Sequence, residues 1–128
     1  FSTNWFGFGM PSGLYSDHEL KYGIHAGDLE TSVMLALEPK TVQMDKSKNF
    51  IPKTVELNNE FKHIGLSSSV NFGWQAQDLN TFGACGNAKA ATKEKGEITL
   101  KHACKKIIEA ISEMEKISPK IISNETEY

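Results

Sequence analysis

His25-Ala26-Gly27-Asp28-Leu29-Glu30-Thr31-Ser32-Val33-Met34-Leu35-Ala36-Leu37-Glu38-Pro39 places an imidazole and two carboxylates within six residues, at the start of a short apolar helix. Asp28 and Glu30 fall in the first helical turn, where exposed N–H groups favour negative charge. Thr31 and Ser32 supply hydroxyls for local backbone groups, and Pro39 stops the helix just past Glu38. His25 therefore precedes the helix on a loop pivoting at Gly27, a good place for a proton-transfer group. The same residues also suit plain capping chemistry, with His25 bonded to a neighbouring carbonyl, and the stretch alone leaves both readings open.

Working outward, Ser16-Asp17-His18-Glu19 is a capping box that starts a short helix ended by Gly23, with His18 exposed on it. Phe1 to Gly13 mixes Trp5, Phe6, Phe8 and Met10 with glycines, as expected of a strand end leading into a loop. It forms either an aromatic pocket wall or loop packing. Leu29, Val33, Met34 and Leu37 recur at helical spacing and predict a core-facing stripe. Thr41 to Asp45 ends in a turn, and the polar, asparagine-punctuated run from Lys46 to Glu60 predicts an excursion over the surface. His63 is isolated from other ligand types. Trp74, in a turn-rich loop, needs a partner surface. Asn87 is expected to N-cap one long helix, about 88–117, with Ala91, Ile98, Ala103, Ile107, Ile111, Met114 and Ile117 on its apolar face. Gly96 within it predicts close packing against a neighbour. Ser118-Pro119 ends the helix before a polar tail over 119–128.

The 128 residues suffice for one domain with a modest core, and 39% are hydrophobic. A net charge of −2 gives no electrostatic case for nucleic acid or an anionic membrane surface. No apolar run approaches the roughly 20 residues of a membrane span. Cys85 and Cys104 have neither CxxC spacing nor a histidine at zinc-site spacing, so reduced thiols and a cytoplasmic setting are expected. A chain opening on Phe1 is expected to begin inside a longer protein.

His-Ala-Gly-Asp-Leu-Glu-Thr-Ser over residues 25–32 resembles the His-Gly/Ala-Gly-x-x-Glu-Thr-Ser signature of the creatininase (creatinine amidohydrolase) family. The likeness continues through Val42, Met44 and Asp45. It resumes at Phe72-Gly73-Trp74, Asp78-Leu79-Asn80, Gly83, Gly86-Asn87-Ala88 and Ala91-Thr92-Lys93-Glu94-Lys95-Gly96-Glu97, in the family's order.

That resemblance implies an α/β fold, a three-layer α/β/α arrangement with a mostly parallel sheet, of which residues 1–118 would be the C-terminal part. It implies a metal-dependent amidohydrolase acting on a cyclic or linear amide. His25 would be the proton shuttle and a substrate contact, with Glu30 supporting it. Asp28 falls at a position the family varies and is expected to serve only as a helix N-terminal anion. The family's divalent metal pair, zinc or manganese, is held by a Glu-x-His, a separate Asp and a His-x-Glu, none of which this chain contains. The ligands are thus expected on a missing N-terminal half. The creatininase proper has a Trp-Asp pair shortly before the motif histidine; Lys21 and Tyr22 stand there here. Tyr22 becomes the candidate substrate contact, and creatinine itself a doubtful substrate. A small amide substrate, the N-terminal half and further copies of the chain, hexameric by resemblance, are the implied partners. The alternatives are a binding or assembly module that kept the fold without a metal centre, and a structural subunit completing an oligomer through the Trp74 loop.

Overall fold

Two helices packed through a glycine organise the chain. A computed structural model describes residues 1–66 and 68–121. Its elements are α1 (Asp17–Tyr22), α2 (Asp28–Leu37), β1 (Asn49–Phe50), α3 (Thr54–Glu60), α4 (Ala76–Leu79), β2 (Gly86–Asn87) and α5 (Lys93–Met114), with single 3-10 turns between several of them. Gly96 of α5 lies against the backbone of α2: a Cβ there would collide with the Ser32 carbonyl and stand 2.9 Å from Ala36 Cβ. The close packing expected of Gly96 is present.

Polar side chains tie the two helices further. Lys95 Nζ donates to Asp28 Oδ2 at 2.6 Å and to the Ala90 carbonyl at 3.0 Å. Ser32 Oγ donates to Asp28 Oδ1 and accepts the Thr92 N–H, both at 3.1 Å. The Tyr15 hydroxyl and Thr99 Oγ1 share a buried hydrogen bond of 2.8 Å. Around this network lie Leu29, Val33, Ala88, Ala91 and Ala103, and beyond it Leu79, Ala84 and Cys85, a core built largely of small side chains.

β1 and β2 pair antiparallel, Asn49 opposite Asn87 and Phe50 opposite Gly86. Two isolated bridges complete the extended pairing among the described residues: His25 with Cys85, antiparallel, and Ile64 with Val70, parallel. Mixed helix and strand agrees with the α/β class, and this chain contributes only a small antiparallel portion of sheet. No helix among the described residues is long and apolar enough to cross a membrane.

The boundaries of α1 and α2 fall where the caps and Pro39 put them. Several expectations need correction. The long helix is capped by Thr92, whose side chain accepts the Lys95 N–H, and not by Asn87; a 3-10 turn over Ala88–Ala90 intervenes. Its inner face is Gly96, Thr99 and Ala103, whereas Ile98, Ile107 and Ile111 are exposed. On α2, Leu29 and Val33 are buried, but Met34 and Leu37 face outward because α5 covers one side only. The run from Lys46 to Glu60 is not a bare surface excursion: it contributes β1 and α3, with Pro52 and Thr54 buried. Phe1 to Gly13 holds a 3-10 turn at Trp5–Phe8 instead of a strand end, since the Asn4 side chain accepts the Gly7 N–H. Of the expected tail, Pro119–Ile121 forms a 3-10 turn and 122–128 lie outside the described residues.

Candidate active site around His25 and Glu30

His25 is fixed by its backbone. Its N–H donates to the Cys85 carbonyl at 3.3 Å and its carbonyl accepts the Cys85 N–H at 2.6 Å, so the loop before α2 is bridged to the segment entering β2. The imidazole is left half exposed. Ala26 then takes a left-handed conformation, φ 56°, which turns the chain sharply into α2. Gly27, the N-cap, has no side chain to receive the free N–H groups of the first turn. Glu30 instead reaches back out of the helix: the N–H of Ala26, the residue before the N-cap, donates to its Oε2 at 2.6 Å. The Thr31 hydroxyl donates to the Ala26 carbonyl at 3.2 Å and fastens the same turn.

This local folding brings Glu30 Oε2 to 3.8 Å from His25 Nδ1. The carboxylate that secures the turn thus lies at ion-pair distance from the ring. His25 and Glu30, predicted as a pair, are adjacent in space. Glu30 also borders two depressions. One is a cavity of about 690 Å³ lined by Phe6, Met10, Tyr15, Glu19 and Leu29 together with Glu30. The other, about 310 Å³, runs past Ala26, Thr31, Met34 and Val42. The aromatic N-terminal stretch does therefore form part of a cavity wall.

Tyr22 stands elsewhere. Its hydroxyl accepts from Asn58 Nδ2 at 3.4 Å, its ring stacks on His18, and it borders a small pocket with Ile24, Thr54 and Leu66 rather than the large cavity. The Asn58 contact lowers the pKa of the phenol from its usual value. His63 is exposed and offers its carbonyl to the Val70 N–H. Trp74 is exposed as well. Cys85 is fully buried, which pushes its thiol up, and Cys104 is exposed; both are free. Among the described residues no cluster of three or more His, Cys, Asp or Glu side chains could hold a metal ion. The residues present therefore do not by themselves fit a metal pair.

Two carboxylates do more than their sequence context suggested. Asp28 is buried and carries the Lys95 ion pair, so it is a structural anchor and not merely a helix-end anion. Glu19 is also buried. Its Oε2 accepts the Asn87 N–H at 2.9 Å, while Oε1 has no donor and lies in a niche of Gly23, Gly27 and Gly86. The capping box is thus only half built: Ser16 Oγ accepts the Glu19 N–H, but the Glu19 side chain turns inward. The two glycines flanking His25 and the glycine at 86 were the available signal. Burial likewise raises the Tyr15 phenol, against the opposing bond from Thr99.

Comparison with known proteins gives the chain's family. The family model for creatininase, described as creatinine amidohydrolase, matches residues 1–111. No curated protein gives a significant match. A solved protein of Bacteroides fragilis assigned as a creatinine amidohydrolase is 26% identical with a TM-score of 0.67, over 91% of this chain and 43% of its own. A Trp-to-Phe mutant creatininase is 27% identical, TM-score 0.63, over 90% and 42%. A second such mutant, of a type II creatininase, shares the fold at 23% identity and TM-score 0.61. The chain thus spans less than half the length of these structures. A motif histidine beside its glutamate, on a fold shared with creatininases and matched over 111 residues, makes this chain a member of the creatininase family.

Proposed function

We propose that this chain is part of a metal-dependent amidohydrolase that hydrolyses a small cyclic or linear amide, with His25 moving the proton. The observation that carries the reading is the approach of His25 Nδ1 to Glu30 Oε2 at 3.8 Å, Glu30 being the member of the pair that borders the two depressions. With Glu30 beside Nδ1, the far nitrogen of the half-exposed ring is the one assigned to proton transfer. A half-exposed imidazole so oriented takes a proton at one stage and delivers it to the leaving nitrogen at the next. Glu30 acts through the ring and through the turn: it stands beside Nδ1 and keeps Ala26 in place. Tyr22, the other candidate substrate contact, lies beside a separate small pocket with its hydroxyl held by Asn58.

The divalent pair, zinc or manganese, would be bound mainly by side chains outside this chain. The expected N-terminal half is accordingly the first partner to seek, in an assembly of further copies.

Native mass spectrometry with metal quantification, on protein taken untruncated from its source, tests the assignment. A longer chain, or a tightly held second chain, carrying about two divalent ions per unit supports it; a free 128-residue species without metal overturns it. In the assembled enzyme, His25→Ala should lower turnover of the amide by about 100-fold or more while metal content stays constant. Unchanged turnover would remove His25 from the mechanism.

A further inference from the structure

We propose that Glu19 is a positioning residue whose buried carboxylate locks the His25 loop to the Gly86-Asn87 strand. The proposal rests on the proton-transfer role given to His25 above. A carboxylate is costly to bury, and the cost is offset only by good donors. Glu19 has one, the Asn87 N–H on Oε2, and its Oε1 has no N–H or O–H partner. Stability of α1 alone does not account for this: the same short helix would form with Glu19 turned outward, completing its capping box.

What surrounds Oε1 gives the reason. A Cβ built on Gly23 or on Gly27 would collide with this oxygen, and one on Gly86 would stand 2.9 Å from it. The oxygen thus occupies the space a side chain would need at Gly23 and Gly27 and crowds it at Gly86. Gly23 and Gly27 lie two residues before and two residues after His25. Gly86 follows Cys85, the residue whose backbone bridges His25 in both directions. Gly86 itself adopts φ 130°, a conformation reserved for glycine. A single carboxylate therefore touches both sides of the histidine loop and the strand the loop is bridged to. Its contribution is to fix the backbone from which His25 projects.

Amide hydrogen exchange on the protein and its Glu19→Gln and Glu19→Ala variants tests this. Glutamine keeps an oxygen for Asn87 but sets an NH2 group against glycine carbons, where it finds no acceptor. Exchange at Asn87, His25 and Cys85 should rise together, by about tenfold in Glu19→Gln and more in Glu19→Ala, while Ala103 in α5 holds its rate. If Glu19→Ala fails to fold, the glutamine variant decides. Unchanged His25 and Cys85 rates overturn the proposal, and so does an equal rise at Ala103, which marks a general loss of stability. In the assembled enzyme, Glu19→Gln should lower kcat by about tenfold with KM within about twofold, since the substrate contacts remain. Unchanged turnover in His25→Ala would sink the proton-transfer reading and leave the exchange result to judge Glu19 separately.

Discussion

Gly96→Ala sets two effects of opposite sign against each other. In an isolated helix the change is favourable by about 1 kcal/mol, because alanine loses less backbone freedom than glycine. Here the new methyl would stand 2.6 Å from the Ser32 carbonyl carbon and 2.9 Å from Ala36 Cβ, and would overlap the Ser32 oxygen. Ordinary carbon contacts lie at about 3.5–4.0 Å, so α2 and α5 must separate by roughly 1 Å. The obstacle is backbone, which has no rotamer to escape into. Separation stretches the Lys95–Asp28 and Tyr15–Thr99 contacts on the same face. Overpacking of this kind costs about 1–3 kcal/mol, and with fixed backbone opposite, the upper part of that range applies. After the helix-propensity gain the net change is about 2 kcal/mol of destabilisation, or roughly 6–10 °C in Tm for a chain this size. Thermal unfolding followed by circular dichroism measures it, with Glu97→Ala one residue along, on the exposed side, as the control expected to stay within about 0.5 kcal/mol. A Tm at or above that of the parent protein would refute the close approach of the two helices.

Lys95→Met removes the cation from a pair whose carboxylate is buried, leaving Asp28 with the Ser32 hydroxyl alone; denaturant unfolding should show a loss of about 3 kcal/mol, and a loss under 1 would mean that the pair is solvated. Ala26→Gly relieves a left-handed conformation and should raise Tm by a few degrees, the balance of about 1–2 kcal/mol of relieved strain against 0.5–1 of glycine entropy; a fall in Tm would contradict the geometry of the turn. Alkylation of the native protein, mapped by peptide mass spectrometry, should modify Cys104 and spare Cys85 until denaturant is added, because Cys85 is enclosed and its thiol is pushed up by burial.

What was legible in the sequence is what local chemistry decides. Gly27 and Pro39 bracket α2, Ser16 and Gly23 bracket α1, and a glutamate at the third position of a helix whose N-cap is glycine turns back on the preceding loop. That last feature brings Glu30 beside His25, a pairing expected from the family motif. The errors share one cause, competition from residues far along the chain. Glu19 has a local use in the capping box, yet it bonds Asn87, 68 positions away, because three glycines open a niche there that no local pattern reveals. Asp28 has a local use at a helix N-terminus, yet it pairs with Lys95, 67 positions away. Asn87 is a good N-cap residue, but its N–H is taken by Glu19 and its backbone belongs to β2, so capping passes to Thr92. The apolar stripes of α2 and α5 failed for a related reason: periodicity tells that a face is apolar, not how many neighbours cover it, and Met34, Leu37, Ile107 and Ile111 remain open in a chain spanning less than half of its structural relatives. Glycines were the residues whose long-range meaning went furthest. Gly96 was read correctly because a glycine inside a helix has no local advantage and so requires a neighbour. The same reasoning applied to Gly23, Gly27 and Gly86, each placed in a loop, would have asked what approaches there, and the answer is the Glu19 carboxylate.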